Sequence, residues 1–183
     1  MSWLVRLPLA FAVSALLMLA LSGPGTRFGL WPWSTGLILF GLAGLLGIAA
    51  AIAAAIGKRF AVLALGAAAA AMPVYGLVQA LSNPRINDAS SELVLAGSPE
   101  ATFSKALAAA EAAGWEVVKS DPRTGQIEAV ATSFWFGFKD DVLVRVTPDG
   151  SGSRVDVRSK SRVGRGDMGT NARRIQAYFE RLK

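Results

Sequence analysis

VLVRVTPDGSGSRVDVRSK, residues 142–160, is the stretch that decides the fold of the C-terminal half of this chain. Valine occupies every second position before the turn at residues 148–150, and it returns with the same spacing at Val155 and Val157. The positions between carry mostly polar or charged side chains, among them Arg145 and Asp156. Because alternate residues of a strand point to opposite faces, the stretch predicts an antiparallel hairpin with one apolar face.

The residues around this hairpin complete a predicted α+β domain. A strand is expected at residues 92–95 and a second hairpin at 115–132, with helices at 99–113 and 170–182. Ser98 followed by Pro99 is typical of a helix start. The order strand, helix, four antiparallel strands, helix predicts two layers, with both helices on one face of the sheet.

The last of these helices has an amphipathic pattern. Its inner face is expected to carry apolar residues such as Ile175 and Phe179, spaced at helical intervals. Three arginines are expected to point outward: Arg173, Arg174 and Arg181.

Residues 1–81 have a different composition from the rest of the chain. The whole sequence is 52% hydrophobic and only 17% charged, against roughly 25% charged in soluble domains. The first 81 residues contain four basic residues and no Asp or Glu. Three apolar stretches, 3–21, 34–56 and 60–81, are each close to the roughly 20 residues that span a bilayer. The sequence therefore predicts a membrane anchor at 1–81, a linker at 82–91 and an extramembrane domain at 92–183.

Charged residues between the stretches predict the topology. Lys58 and Arg59 lie in the tight turn between the second and third stretches, and Arg6 lies near the start of the first. Since positive loops stay in the cytoplasm, the C-terminal domain is expected on the periplasmic side of a bacterial inner membrane, with Arg27. Alternatively, the first stretch is a cleaved signal peptide, although residues 20–24 make a poor cleavage site.

Small residues recur every four positions in the second stretch, at Ala43, Gly47, Ala51 and Ala55. Such spacing lets helix backbones approach closely. Two interpretations follow: the second and third helices pack against each other, or the stripe binds a partner membrane protein.

Composition excludes several chemistries. The chain has no Cys and no His, so it cannot form a thiolate or imidazole metal site or a Ser-His-Asp triad. No cofactor or metal is predicted, and an enzyme is not expected. Basic residues in the C-terminal half alternate with acidic ones, so nucleic-acid binding is not expected either.

Three motifs of the C-terminal half resemble one known family. They are residues 83–88, NPRIND; residues 140–142, DDV; and residues 155–164, VDVRSKSRVG, followed by Asp167, Gly169, Asn171, Ala172 and Ile175. This pattern resembles domain-of-unknown-function family 1499, over roughly residues 83–182. The resemblance implies no established activity, and family members include bacterial proteins with membrane helices ahead of this domain.

The third motif is the main candidate site. Arginines and glycines lead into a helix start, and backbone N–H groups there can bind an anion such as a phospholipid headgroup. The structural alternative is that Asp167 pairs with Arg162 or caps the helix while the glycines permit a tight connection. The candidate residues are Arg158, Ser161, Arg162, Gly164, Arg165, Gly169 and Asn171.

A second candidate is the aromatic cluster Phe134, Trp135, Phe136 and Phe138. These rings either fill the core beneath the helices, or form an apolar ligand pocket or a surface that enters the bilayer or a partner. The neighbouring Asp140 and Asp141 point to opposite faces of a strand, so they are expected to be a salt-bridge partner and a turn residue rather than a proton-sharing pair.

The sequence thus predicts a non-enzymatic membrane protein whose α+β domain binds a ligand or headgroup. The first alternative is an accessory or assembly subunit of a larger membrane complex, and the second is an enzyme whose site uses neither His nor Cys. Expected partners are the lipid bilayer and either an anionic headgroup or another membrane protein.

Overall fold

The computed structural model describes residues 2–183, with side chains from residue 6 onward. The chain forms two compact units. One consists of the residues up to Leu81 together with Phe134–Gly137, and the other of Ser82–Ser133 and Phe138–Lys183.

Three long helices make up most of the first unit: α1 (Ser2–Arg27), α2 (Trp33–Ile56) and α3 (Phe60–Ser82). All three are long and apolar enough to cross a membrane, as the sequence predicts. Helix α1 is longer than expected. The first apolar stretch of the sequence ends at residue 21, but the helix continues through Gly23 and Pro24 to Arg27. Proline is tolerated in membrane helices because neighbouring groups satisfy the freed backbone.

The backbones of helices α2 and α3 come into close contact at two glycines, Gly47 and Gly66. A Cβ atom at Gly47 would lie 2.8 Å from the carbonyl oxygen of Gly66, and one at Gly66 would lie 2.7 Å from that of Gly47. Only a residue without a side chain permits this approach. The small-residue stripe therefore packs these two helices against each other, which is the first of the two interpretations.

The second unit is an α+β structure. Its elements in chain order are β1 (Asp88–Ala96), α4 (Pro99–Ala112), β2 (Glu116–Asp121), β3 (Gln126–Thr132), β4 (Lys139–Asp149), β5 (Gly152–Ser161) and α5 (Thr170–Leu182). The strands form one antiparallel sheet in the order β1-β5-β4-β3-β2. The predicted fold class and element order are confirmed.

Both helices pack on the sheet face that the alternating valines line. Val144, Val155 and Val157 are buried there with Ile175 and Tyr178 from α5. The Tyr178 ring stacks on Trp115 at 4.8 Å, and its hydroxyl donates to the carbonyl of Ala106 in α4 at 2.8 Å. Burial raises the pKa of the Tyr178 phenol.

Two expectations for this unit are wrong. Strand β1 begins at Asp88, so the last four residues of the predicted linker at 82–91 belong to the sheet, paired with β5. Arg174 does not point outward, because its side chain is only 13% exposed and pairs with Asp140.

Candidate functional site

The arginines of the third motif are divided between two places. Arg158 and Arg162 lie on the exposed face of the sheet, opposite the helices, whereas Ser159 and Ser161 alternate with them and are buried. Residues 162–169, between β5 and α5, form a glycine-rich loop. This loop carries Arg165 in an exposed position.

Both sheet arginines are paired with carboxylates. Arg158 donates through Nε and Nη2 to the two carboxylate oxygens of Asp88, at 2.9 and 2.5 Å. Arg162 donates through Nε and Nη2 to one oxygen of Asp141, at 3.0 and 2.6 Å. These hydrogen bonds lower the pKa of Asp88 and of Asp141 below the usual aspartate value. Asp140 and Asp141 are both strand residues with ion pairs, so the expectation that one of them is a turn residue is wrong.

The start of α5 is capped by the chain itself. Asp167 accepts hydrogen bonds from the backbone N–H of Gly169 at 2.9 Å and of Asn171 at 2.7 Å. Gly169 has φ +74°, a left-handed conformation that glycine adopts without strain. The structural alternative for Asp167, that it caps the helix, is confirmed, and these N–H groups are already used.

A buried polar network lies beneath this cap. Asn171 accepts from Ser159 Oγ at 2.7 Å and donates through Nδ2 to Ser161 Oγ at 3.0 Å. Arg174 donates to Ser159 Oγ at 2.8 Å and to Asn171 Oδ1 at 2.6 Å, and its Nη2 lies 2.5 Å from Asp140. Ser161 and Asn171 are therefore structural members of a satisfied network, since buried polar groups need such partners.

The glycine-rich loop is held against the segment that leaves α3. The backbone N–H of Asp167 donates to the carbonyl of Ile86 at 3.0 Å, and Asn87 Nδ2 donates to the carbonyl of Gly164 at 2.9 Å. A Cβ atom at Gly166 would lie 3.4 Å from the Cα of Arg85. The structure therefore brings Arg165 and Arg85 onto adjacent segments, and both side chains are exposed.

Two of the four clustered aromatics pack in the helical unit. Trp135 lies over Gly23 of α1, and its indole Nε1 is 3.4 Å from Ser22 Oγ. Phe136 meets Phe40 of α2 edge to face at 5.5 Å. Phe134 is 85% exposed, and Phe138, half-buried, belongs to the second unit. Of the two alternatives for this cluster, the one in which the rings fill the core beneath the helices of the α+β unit is wrong for residues 134–136.

The exposed sheet face also carries a groove. The groove has a volume of about 530 Å³. Its lining includes the apolar Leu143, the basic Arg158 and Arg162, and the acidic Glu128. No helix of the unit covers this face, which exposes charged side chains of both signs around the groove.

The sequence of the second unit matches a known family over almost its whole length. A family model described as a protein of unknown function, DUF1499, matches residues 75–182. The chain belongs to the DUF1499 family. The DUF1499 region contains the whole polar network, the glycine-rich loop and Arg85, together with the loop that carries Phe134.

Other known proteins add little to this assignment. The DUF1499 chain has no match among curated proteins. It is similar to the crystal structure of TTHA0849 from Thermus thermophilus, at 13% identity over 52% of this chain and 93% of that chain, with a TM-score of 0.33.

Sequence reasoning missed two residues of this region. Arg174, which was expected to point outward, is the partner of Asp140 at the centre of the network, and Arg85 lies against the glycine-rich loop. A signal for this ion pair was present in the sequence. Asp140 is in the same alternation as Val142 and Val144, which places its carboxylate on the buried face, and a buried carboxylate needs a cation as partner.

Proposed function

We propose that this protein is a non-enzymatic binding module of the bacterial inner membrane whose α+β unit binds anionic phospholipid headgroups through Arg85 and Arg165. The observation that carries the proposal is the attachment of the glycine-rich loop to residues 83–87. These residues follow directly on α3, which ends at Ser82. Three residues of extended chain reach at most about 10 Å, so Arg85 is close to the membrane surface on which α3 ends.

The charges of this region suit an anionic surface. In the described part of the chain, neither Arg85 nor Arg165 forms an ion pair, unlike Arg158 and Arg162. Asp167, which could repel an anion, has its carboxylate oxygens turned to the backbone N–H groups of α5. A basic residue near an anionic bilayer contributes about 1 kcal/mol of attraction. Arg85 and Arg165 thus replace the paired Arg158 and Arg162 as the proposed headgroup contacts.

The lipid preference of the full-length protein tests this proposal. Native mass spectrometry in detergent measures the binding of phosphatidylglycerol relative to phosphatidylcholine. We expect Arg85→Ala and Arg165→Ala each to reduce the phosphatidylglycerol preference about fivefold, which corresponds to about 1 kcal/mol. The double variant should lose nearly all of it.

Arg123→Ala is the matched control, because Arg123 is a strongly exposed arginine at the β2–β3 turn. It should bind both lipids as the parent does. Inorganic phosphate, added as a competitor, separates a site for the phosphate group alone from one that needs the lipid. A parent protein without preference for phosphatidylglycerol at low salt, or a double variant equal to the parent, contradicts the proposal.

The proposed periplasmic location rests on charge distribution. Arg6, Lys58 and Arg59 lie at one set of helix ends, and an odd number of spans leads the chain to the other side. Alkaline phosphatase fused after Lys183 is expected to be active, because that enzyme requires the periplasm to form its disulfides. Green fluorescence from a cytoplasm-specific reporter at the same position would reverse the topology.

The open sheet face supports a second candidate function, an accessory subunit of a membrane complex. The groove around Leu143 combines an apolar residue with opposite charges, as interfaces between proteins do. The lipid measurement separates the two candidates, since docking at Leu143 does not require Arg85 or Arg165.

A further inference from the structure

The loop Phe134–Gly137 lies beside the membrane helices at a depth that can be read along their axes. Trp135 contacts α1 at Ser22, five residues before its end at Arg27, and Phe136 contacts α2 at Phe40, seven residues after its start at Trp33. At 1.5 Å per residue, these contacts lie about 7.5 Å and about 10.5 Å from the helix ends. Both contacts therefore fall within the candidate spans rather than beyond them.

Helix α1 has glycines at two positions where indole rings pack against it. A Cβ atom at Gly23 would lie 2.2 Å from Trp135 Cδ1, and one at Gly25 would lie 2.0 Å from the Trp31 ring. Any other residue at these two positions would displace an indole ring. The two glycines that flank Pro24 thus leave space for the indole rings of Trp135 and Trp31. Gly47 and Gly66 leave space in the same way for the backbone of the neighbouring helix.

Part of the polar backbone of the loop is satisfied by the helical unit. Arg27 Nη1 donates to the carbonyl oxygen of Phe134 at 2.7 Å, and Gly137, with φ +69°, lies against the Arg27 side chain. Irregular backbone is tolerated at membrane depth only where protein groups satisfy it. Arg27 also fixes the level of the Phe134 backbone at the end of the first span.

The Phe134 side chain is 85% exposed although its neighbours in the loop are packed. Phe28 and Leu30, which follow Arg27 in the same unit, are 74% and 72% exposed. These apolar side chains continue the lipid-facing surface of the spans, where leucines and isoleucines are exposed in the same way. Aromatic rings at the ends of spans prefer the headgroup level of a bilayer.

We infer that the loop Phe134–Gly137 is seated in the bilayer interface, with the Phe134 ring in contact with lipid and the Trp135 and Phe136 rings wedged against α1 and α2. The partner of this surface is the lipid itself, of any headgroup charge. The inference is independent of the proposed headgroup site, because it involves other residues and an apolar contact.

Site-directed spin labelling of the full-length protein in nanodiscs tests the inference. The chain has no cysteine, so Phe134→Cys gives a single labelling site. The label at position 134 is expected to have high accessibility to oxygen and several-fold lower accessibility to a water-soluble nickel complex than a label in solvent. Because the Phe134 side chain is exposed, its replacement should not disturb folding.

Two further labels calibrate the measurement. Val118→Cys lies on the exposed surface of β2, where Val118 is 65% exposed, and reports water. Ile52→Cys lies on the exposed side of α2 and reports lipid. A label at position 134 with the nickel accessibility of the label at 118 overturns the inference, whatever the outcome of the phosphatidylglycerol measurement. A nickel accessibility below that of the label at 118, shifted toward that of the label at 52, supports it.

Discussion

Replacing Arg174 with alanine is expected to destabilise the α+β unit by about 3–5 kcal/mol, the cost of removing one partner of a buried ion pair. The variant leaves Asp140, whose side chain is 7% exposed, without its cation. It also removes the guanidinium group that donates hydrogen bonds to Ser159 and Asn171. Hydrogen exchange of the β4 and β5 amides in the detergent-solubilised full-length protein measures the loss as a lower free energy of opening.

Arg181→Ala is the control for this prediction. Arg181 is exposed on the same helix, and its loss should cost no more than about 1 kcal/mol through the helix dipole. If the Arg174 variant exchanged its β4 and β5 amides no faster than the Arg181 variant, the network would not stabilise the sheet.

Replacing Gly47 with leucine is expected to separate α2 from α3 and to destabilise the helical unit by about 3 kcal/mol, toward the upper end of overpacking effects. The new Cβ atom would lie 2.8 Å from the carbonyl oxygen of Gly66 and 2.9 Å from the backbone nitrogen of Ala70. Backbone atoms cannot rotate out of the way, so the helices themselves must move.

The same substitution at Gly41 is the matched control, because no atom lies within 4 Å of a Cβ atom at that position of α2. Thermal unfolding in detergent compares the two variants. Gly47→Leu should unfold at a clearly lower temperature than the parent, and Gly41→Leu should unfold close to it. Equal unfolding temperatures for the two variants would show that the close approach is not needed for stability.

The strongest local signals in the sequence predicted elements to the residue. The bounds of α5, Thr170–Leu182, agree with the sequence pattern because an apolar face at helical spacing marks this helix, and β3 ends at Thr132, where the predicted hairpin ends. The start of strand β1 was harder to predict, since residues 88–91 are Asp-Ala-Ser-Ser and have no alternating apolar residues. Their strand conformation comes from pairing with residues 157–160 of β5.

The site was predicted less completely than the fold. The cap by Asp167 is a local feature, and the sequence offered it as one alternative. The inward turn of Arg174 depends on Asp140, which lies 34 residues earlier in the chain. The helical course of Gly23 to Arg27 was not predicted either, because glycine and proline side by side are typical of a loop.

The Phe134–Gly137 loop has a consequence for the order in which the molecule is made. Ribosomes synthesise all three membrane helices before β1, α4, β2 and β3, and the ring that occupies the space above Gly23 appears only after them. The helical unit therefore inserts into the membrane with that space unfilled. Its assembly ends late in translation, when β3 has emerged and Trp135 becomes available, so a nascent chain that stalls before this residue leaves an unfinished anchor.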